Sequence, residues 1–141
     1  MTAKTNSAAA RLPFQFALSL QSGVPVYRQV IDQVRGGIAL GTLGAGDQLP
    51  TVRQMAVDLA INPNTVMRAY RELELSGLLE THQGTGTFVA NKKLERKDAE
   101  RDRQLTQLAN EFAARAGAAG FTAEELLERL SELVPPSKPR R

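Results

Sequence analysis

At 141 residues, with 42% hydrophobic and 23% charged side chains, the chain has room for one compact domain and a small appendage, which argues against a two-domain enzyme. It contains no cysteine and one histidine, His82, so disulfide frameworks, thiolate metal sites and imidazole clusters are excluded, and neither metal nor cofactor is expected. The formal charge of +3 lies wholly in residues 1–93, where nine Lys and Arg face six Asp and Glu, while residues 94–141 balance nine against nine; an excess that small fits many surfaces and names no partner by itself.

Without Trp, and with only five Phe and two Tyr, the core is expected to be aliphatic. No run approaches the roughly 18 to 20 apolar residues of a membrane span, and the first residues lack the apolar stretch of a secretory signal, so a soluble, cytoplasmic protein without a membrane partner is expected. Residues 1–11 are small and polar, with an alanine run, and read as a disordered arm. Residues 14–23 read as a strand or an extended lead-in. From Pro25 the pattern turns helical, with Val26, Val30, Val34 and Ile38 spaced by four and Tyr27 and Ile31 alongside; Gly41 is the expected stop. Residues 41–47 form a connector rich in turn residues.

Thr51 looks like an N-cap, Gln54 three residues on completes a capping-box pattern, and the helix it opens runs to about Ala60. On it Val52, Met55, Ala56 and Leu59 fall at helical spacing, so Met55 is core rather than ligand. Asn62 can cap a second helix whose first position takes Pro63 without losing a needed donor, and Gly77 ends it. Two short helices joined by a few residues make a helix-turn-helix, whose second helix enters the major groove in DNA-binding versions. At about 100° per residue, Val66, Ala69, Tyr70 and Leu73 share the inward face, while Asn64, Met67, Arg68 and Arg71 point away with Thr65 at the flank. Asn suits adenine, Arg suits guanine, and helix N-termini attract phosphate, although a plain solvated face has the same composition.

Residues 78–83 and 87–90 bracket Gly84-Thr85-Gly86 and read as a hairpin, the wing, whose glycines permit positive φ and a close backbone approach to phosphate or minor groove. Residues 92–103 are rich in alternating charge and read as an exposed helix. Beyond them Leu105, Leu108, Ala109, Phe112 and Ala116 form an apolar stripe, and residues 117–120 are expected to break the helix. Thr122 and Glu125 form a second capping box, opening a final helix with Leu126, Leu127, Leu130 and Leu133 on one side. Pro135-Pro136 ends it, and residues 135–141 make a loose basic tail.

The order of helix, connector, helix-turn-helix and hairpin resembles the GntR family of bacterial transcription regulators. The resemblance is carried by Gly41-Thr42-Leu43, by Gly46-Asp47-Gln48-Leu49-Pro50-Thr51-Val52-Arg53, by Asn64-Thr65-Val66, by Leu73 and Gly77-Leu78, and by Gly84-Thr85-Gly86-Thr87-Phe88-Val89. The run Asn62-Pro63-Asn64-Thr65-Val66, followed by Arg68-Ala69-Tyr70-Arg71-Glu72-Leu73-Glu74, looks like the YtrA subfamily, which carries a short C-terminal segment in place of a large effector domain. The resemblance implies that Arg53, following the Leu-Pro-Thr segment, contacts DNA. Family members usually carry two arginines where this chain has Pro63 and Met67, and often Arg or His where it has Gln83. The candidate DNA-binding set is therefore Thr51, Arg53, Asn62, Asn64, Thr65, Arg68, Arg71, Gln83, Gly84 and Thr85.

The expected fold is mainly α with a small β-hairpin: a winged helix-turn-helix over residues 12–91, then a two-helix dimerisation or effector segment over residues 92–134. Two apolar stripes of that length cannot close a core alone, so Leu105, Leu108, Phe112, Leu126, Leu127, Leu130 and Leu133 are expected to pair with a second copy, with packing on the same chain's winged domain the alternative. The function implied is a non-enzymatic, sequence-specific regulator, a repressor that binds double-stranded palindromic operator DNA as a homodimer; the YtrA likeness suggests control of a transporter operon. A small-molecule effector is left open as a further partner. A winged-helix protein-interaction module or an architectural DNA binder is the alternative.

Overall fold

The structure, a computed structural model, describes residues 14–91 and 99–136. The expected arm over residues 1–11, the charged stretch over residues 92–98 and the end of the tail over residues 137–141 lie outside the described residues. The chain divides into two compact units, one ending at Lys92 and the other beginning at Lys93.

In the first unit, α1 (Val26–Leu40) buries the predicted stripe, with Val30, Ile31 and Val34 fully enclosed. It stops at Gly41, whose φ of 90° lets its N–H reach back to the carbonyls of Gly37 and Ile38. Residues 14–23, read as a strand or an extended lead-in, form no strand. They run as a lead-in clamped by two glutamines of α1: the Gln33 amide brackets the backbone of Ala17, accepting its N–H at 2.9 Å and donating to its carbonyl at 2.6 Å. Gln29 holds Ser19 in the same way, at 2.8 Å on both sides. Gln29 is thus buried with its polar atoms satisfied. Phe14 lies so close to Gly37 that a Cβ there would stand 2.8 Å from its ring.

Next come α2 (Val52–Leu59) and α3 (Pro63–Leu75). Thr51 caps α2 by accepting the Gln54 N–H at 3.0 Å, but the expected capping box is half formed, because the Gln54 side chain turns down its own helix to Asp58 at 3.3 Å. Ala60 ends α2 in the left-handed region, at φ 57°. Asn62 caps α3, its Oδ1 accepting the Asn64 N–H at 2.8 Å, with Pro63 at the first helical position. Val66, Ala69, Tyr70 and Leu73 point inward against α1 and α2, where they meet Met55 and Ala56. The core is aliphatic apart from Tyr70, with Phe14, Phe16 and Tyr27 at its margin.

The wing is a hairpin of β2 (Leu79–His82) and β3 (Gly86–Val89), and it has a third strand that the sequence reading did not anticipate. This is β1 (Gln48–Leu49), which pairs antiparallel with β3 to give the order β1-β3-β2. Two residues are too short for an alternation pattern; β1 is extended because β3 offers its free edge, and Leu49 is buried there with Leu79 and Val89.

The second unit consists of α4 (Ala99–Ala118) and α5 (Ala123–Leu133), packed against one another. The helix was expected to break from Gly117, but α4 runs through Gly117 and the chain turns only at Gly120, at φ 90°. A lone glycine inside a helix costs about 1 kcal/mol, which the alanines around it offset by their helix propensity. The capping box of α5 is complete: Thr122 Oγ1 accepts the Glu125 N–H at 3.0 Å, and the Glu125 carboxylate accepts the Thr122 N–H at 2.9 Å. None of the described residues of this unit is buried.

Candidate nucleic-acid interface

The candidate surface is built on α3. Because its inward face is fully committed to the core, the side chains between those positions must face solvent, and Asn64, Met67, Arg68 and Arg71 are all exposed, with Thr65 partly covered. Asn64, Arg68 and Arg71 thus share one helix face. The Asn62 Oδ1 accepts the N-cap bond, and its Nδ2 group remains a donor for a ligand. Thr51 is likewise engaged as the cap of α2, which leaves Arg53 exposed on the first turn of that helix.

The approach to α2 is fixed from the core side by the Tyr70 hydroxyl, which donates to the Pro50 carbonyl at 2.7 Å. Burial pushes the Tyr70 phenol well above its ordinary range, so it stays a donor across the physiological range. The guanidinium of Arg68 is not loose in solvent: its carbon lies 3.7 Å from the centre of the Tyr27 ring on α1.

At the far end of the hairpin stand Gln83, Gly84 and Thr85. Gly84 sits at φ 79°, and the Thr85 N–H closes the turn on the His82 carbonyl at 2.9 Å. Gln48 of β1 ties the tip down by donating from Nε2 to the Thr85 carbonyl at 3.1 Å. It approaches so closely that a Cβ on Gly86 would lie 2.5 Å from that nitrogen. Farther along the strands, His82 pairs with Glu80 at 3.4 Å and packs edge-on to Phe88. Arg53 and the wing tip therefore stand on elements other than α3, and the sequence-predicted residues occupy three separate pieces of one unit.

A family model for bacterial regulatory proteins of the gntR family matches residues 26–89. The HTH-type transcriptional repressor YtrA of Bacillus subtilis is 38% identical over 117 residues, covering 80% of this chain and 87% of that protein. Another regulator of that bacterium, the uncharacterized HTH-type transcriptional regulator YhcF, is 40% identical over 108 residues, which cover 77% of this chain and 88% of it. The chain belongs to the GntR family.

Among solved structures, a GntR-family regulator from Listeria monocytogenes superposes with a TM-score of 0.54 at 30% identity, covering 80% of this chain and 98% of that one. YtrA from Sulfolobus acidocaldarius, a GntR-family transcription factor, gives 0.51 at 32% identity, over 67% and 97%. The stretch matched by the GntR model spans α1 to β3, so every DNA-binding candidate lies inside it, whereas the glutamine-clamped lead-in and α4 and α5 lie outside. The sequence reading gave no role to two residues of this GntR unit: Tyr27, counted there only as part of an apolar stripe, and Gln48, named there only within the run of residues 46–53 that carries the resemblance. Each acts on a partner distant in sequence, so neither left a local signal. No helix among the described residues is long and apolar enough to cross a membrane.

On the second unit, Leu105, Leu108 and Phe112 of α4 and Leu127, Leu130 and Leu133 of α5 are exposed, while Leu126 is partly covered.

Proposed function

We propose that this GntR-family regulator is a cytoplasmic repressor that binds a palindromic operator as a homodimer, with α3 in the major groove. The observation that carries the reading is the division of α3: four residues sealed into the core, and an amide and two guanidinium groups on the exposed face of a helix capped at its start. An amide can make two hydrogen bonds to the major-groove edge of adenine and a guanidinium can make two to that of guanine, while the backbone N–H groups of the first turn favour phosphate. Arg53 adds a cation on the neighbouring helix, and the Gln83-Gly84-Thr85 tip is small enough for its backbone to approach the DNA backbone or minor groove. The exposed leucines and Phe112 of α4 and α5 supply an apolar face for a second copy. A two-fold dimer then sets two α3 helices on half-sites about 34 Å apart. The repressor role is carried over from the likeness to YtrA.

Selection of bound fragments from the source genome, followed by sequencing, tests this. The expected outcome is enrichment of one inverted repeat with half-sites about one helical turn apart, in promoter DNA; the YtrA-type resemblance adds the expectation that this promoter drives a transporter operon. Fragments sharing no sequence would overturn the reading and leave an architectural binder.

A further inference from the structure

We infer that Tyr27, on the first turn of α1, is a positioning residue for DNA specificity: it holds the Arg68 guanidinium in a fixed plane at the edge of the α3 face. This rests on the reading of α3 as the recognition helix. The guanidinium carbon lies 3.7 Å from the ring centre, which is van der Waals contact over the face of the ring. Stacking uses the flat face of a guanidinium and leaves its N–H donors pointing outward in the plane, available to a base edge or a phosphate. Tyr27 is itself anchored, because it is partly buried and packs on the core cluster from a helix that packs directly on α3.

Among the described residues, no carboxylate forms an ion pair with Arg68. The aromatic face is therefore what fixes this side chain. A free arginine gives up its rotamer freedom when it docks on DNA; one already stacked has given it up in the folded protein, so its hydrogen bonds cost less entropy on binding and reach a narrower set of acceptors.

A double-mutant cycle tests the inference, using the full chain, the duplex it selects from a randomised library and a scrambled duplex of equal length. Tyr27→Leu keeps an apolar side chain but removes the π face, and it is expected to lower the preference for the selected duplex about tenfold. Tyr27→Phe is expected to keep the preference to within about twofold, since the ring remains. In an Arg68→Ala background, Tyr27→Leu is expected to change the preference no further. If Tyr27→Leu lowers it equally in both backgrounds, or leaves it unchanged while Arg68→Ala lowers it, Tyr27 does not act through Arg68 and the inference falls while the reading of α3 stands. If Arg68→Ala itself leaves the preference unchanged, the assignment of Arg68 fails, and the inference with it. Should Tyr27→Leu not fold, Arg68→Lys decides: it keeps the charge without the planar stack and is expected to show the same loss, whereas full preference overturns the inference.

Discussion

Tyr70 serves two purposes with one side chain: its ring fills the core between α3 and its neighbours, and its hydroxyl holds the Pro50 carbonyl just ahead of α2. Tyr70→Phe keeps the ring and leaves that carbonyl without its donor, so the midpoint of denaturant unfolding is expected to fall by the equivalent of about 1 kcal/mol. An unchanged midpoint would show that water replaces the bond. The same burial raises the phenol in the folded state above its unfolded value of about 10. Its contribution is therefore fully present below that pH and is lost as the pH rises further. Unfolding measured at alkaline pH is expected to become easier, with a shallower slope in Tyr70→Phe. On the DNA side, Arg53 is exposed on the first turn of α2 and carries none of the core. Arg53→Ala is expected to weaken binding by about 1 to 3 kcal/mol with an unchanged circular dichroism spectrum; unaltered affinity at moderate salt would remove Arg53 from the interface. Asn64→Ala is expected to act differently, reducing the preference for operator over random DNA instead of weakening both alike. Equal losses on the two DNAs would make Asn64 a phosphate anchor.

The caps are the parts of the elements that local sequence determines most directly. Thr51, Asn62 and Thr122 each accept the backbone N–H expected of an N-cap, and Gly41 turns the chain where its left-handed preference predicts. The inward face of α3 was equally legible, because helical spacing alone separates Val66, Ala69, Tyr70 and Leu73 from Asn64, Arg68 and Arg71. What stayed hidden involves distant partners or competing local ones. Strand β1 exists only because β3 lies beside it, the Arg68 stack needs α1, the lead-in is held by two glutamine side chains with no strand pattern, and Gln54 had a second partner in Asp58. Ala60 is a local compromise: a non-glycine residue at φ 57° between α2 and α3. Left-handed backbone costs an L residue roughly 1 to 2 kcal/mol, and the extra freedom of glycine in the unfolded chain offsets about 0.4 to 1 of that. Ala60→Gly is therefore expected to stabilise the domain by about 0.5 to 1 kcal/mol, visible as a higher melting temperature. A lower one would mean that the Ala60 methyl makes packing contacts worth more than the strain.

At the scale of the whole molecule, the proposed function assigns DNA reading to the unit ending at Lys92 and the pairing of two copies to the unit beginning at Lys93. A chain ending after Lys93 is expected to keep the winged fold, become monomeric and lose at least about a hundredfold on a palindrome while binding an isolated half-site as before, because the second α3 no longer acts at high effective concentration. A truncated chain that still sediments as a dimer would move the interface into the winged unit. The exposed leucines of α4 and α5 allow a finer version, in which Leu108→Asp with Leu130→Asp is expected to leave the full chain monomeric. Whether the exposed face of α3 reads sequence is decided by competition titration: the full chain on its selected palindrome, challenged with random duplex at physiological salt. A preference for the palindrome of about a thousandfold or more is expected. Equal affinity for the two DNAs would contradict it.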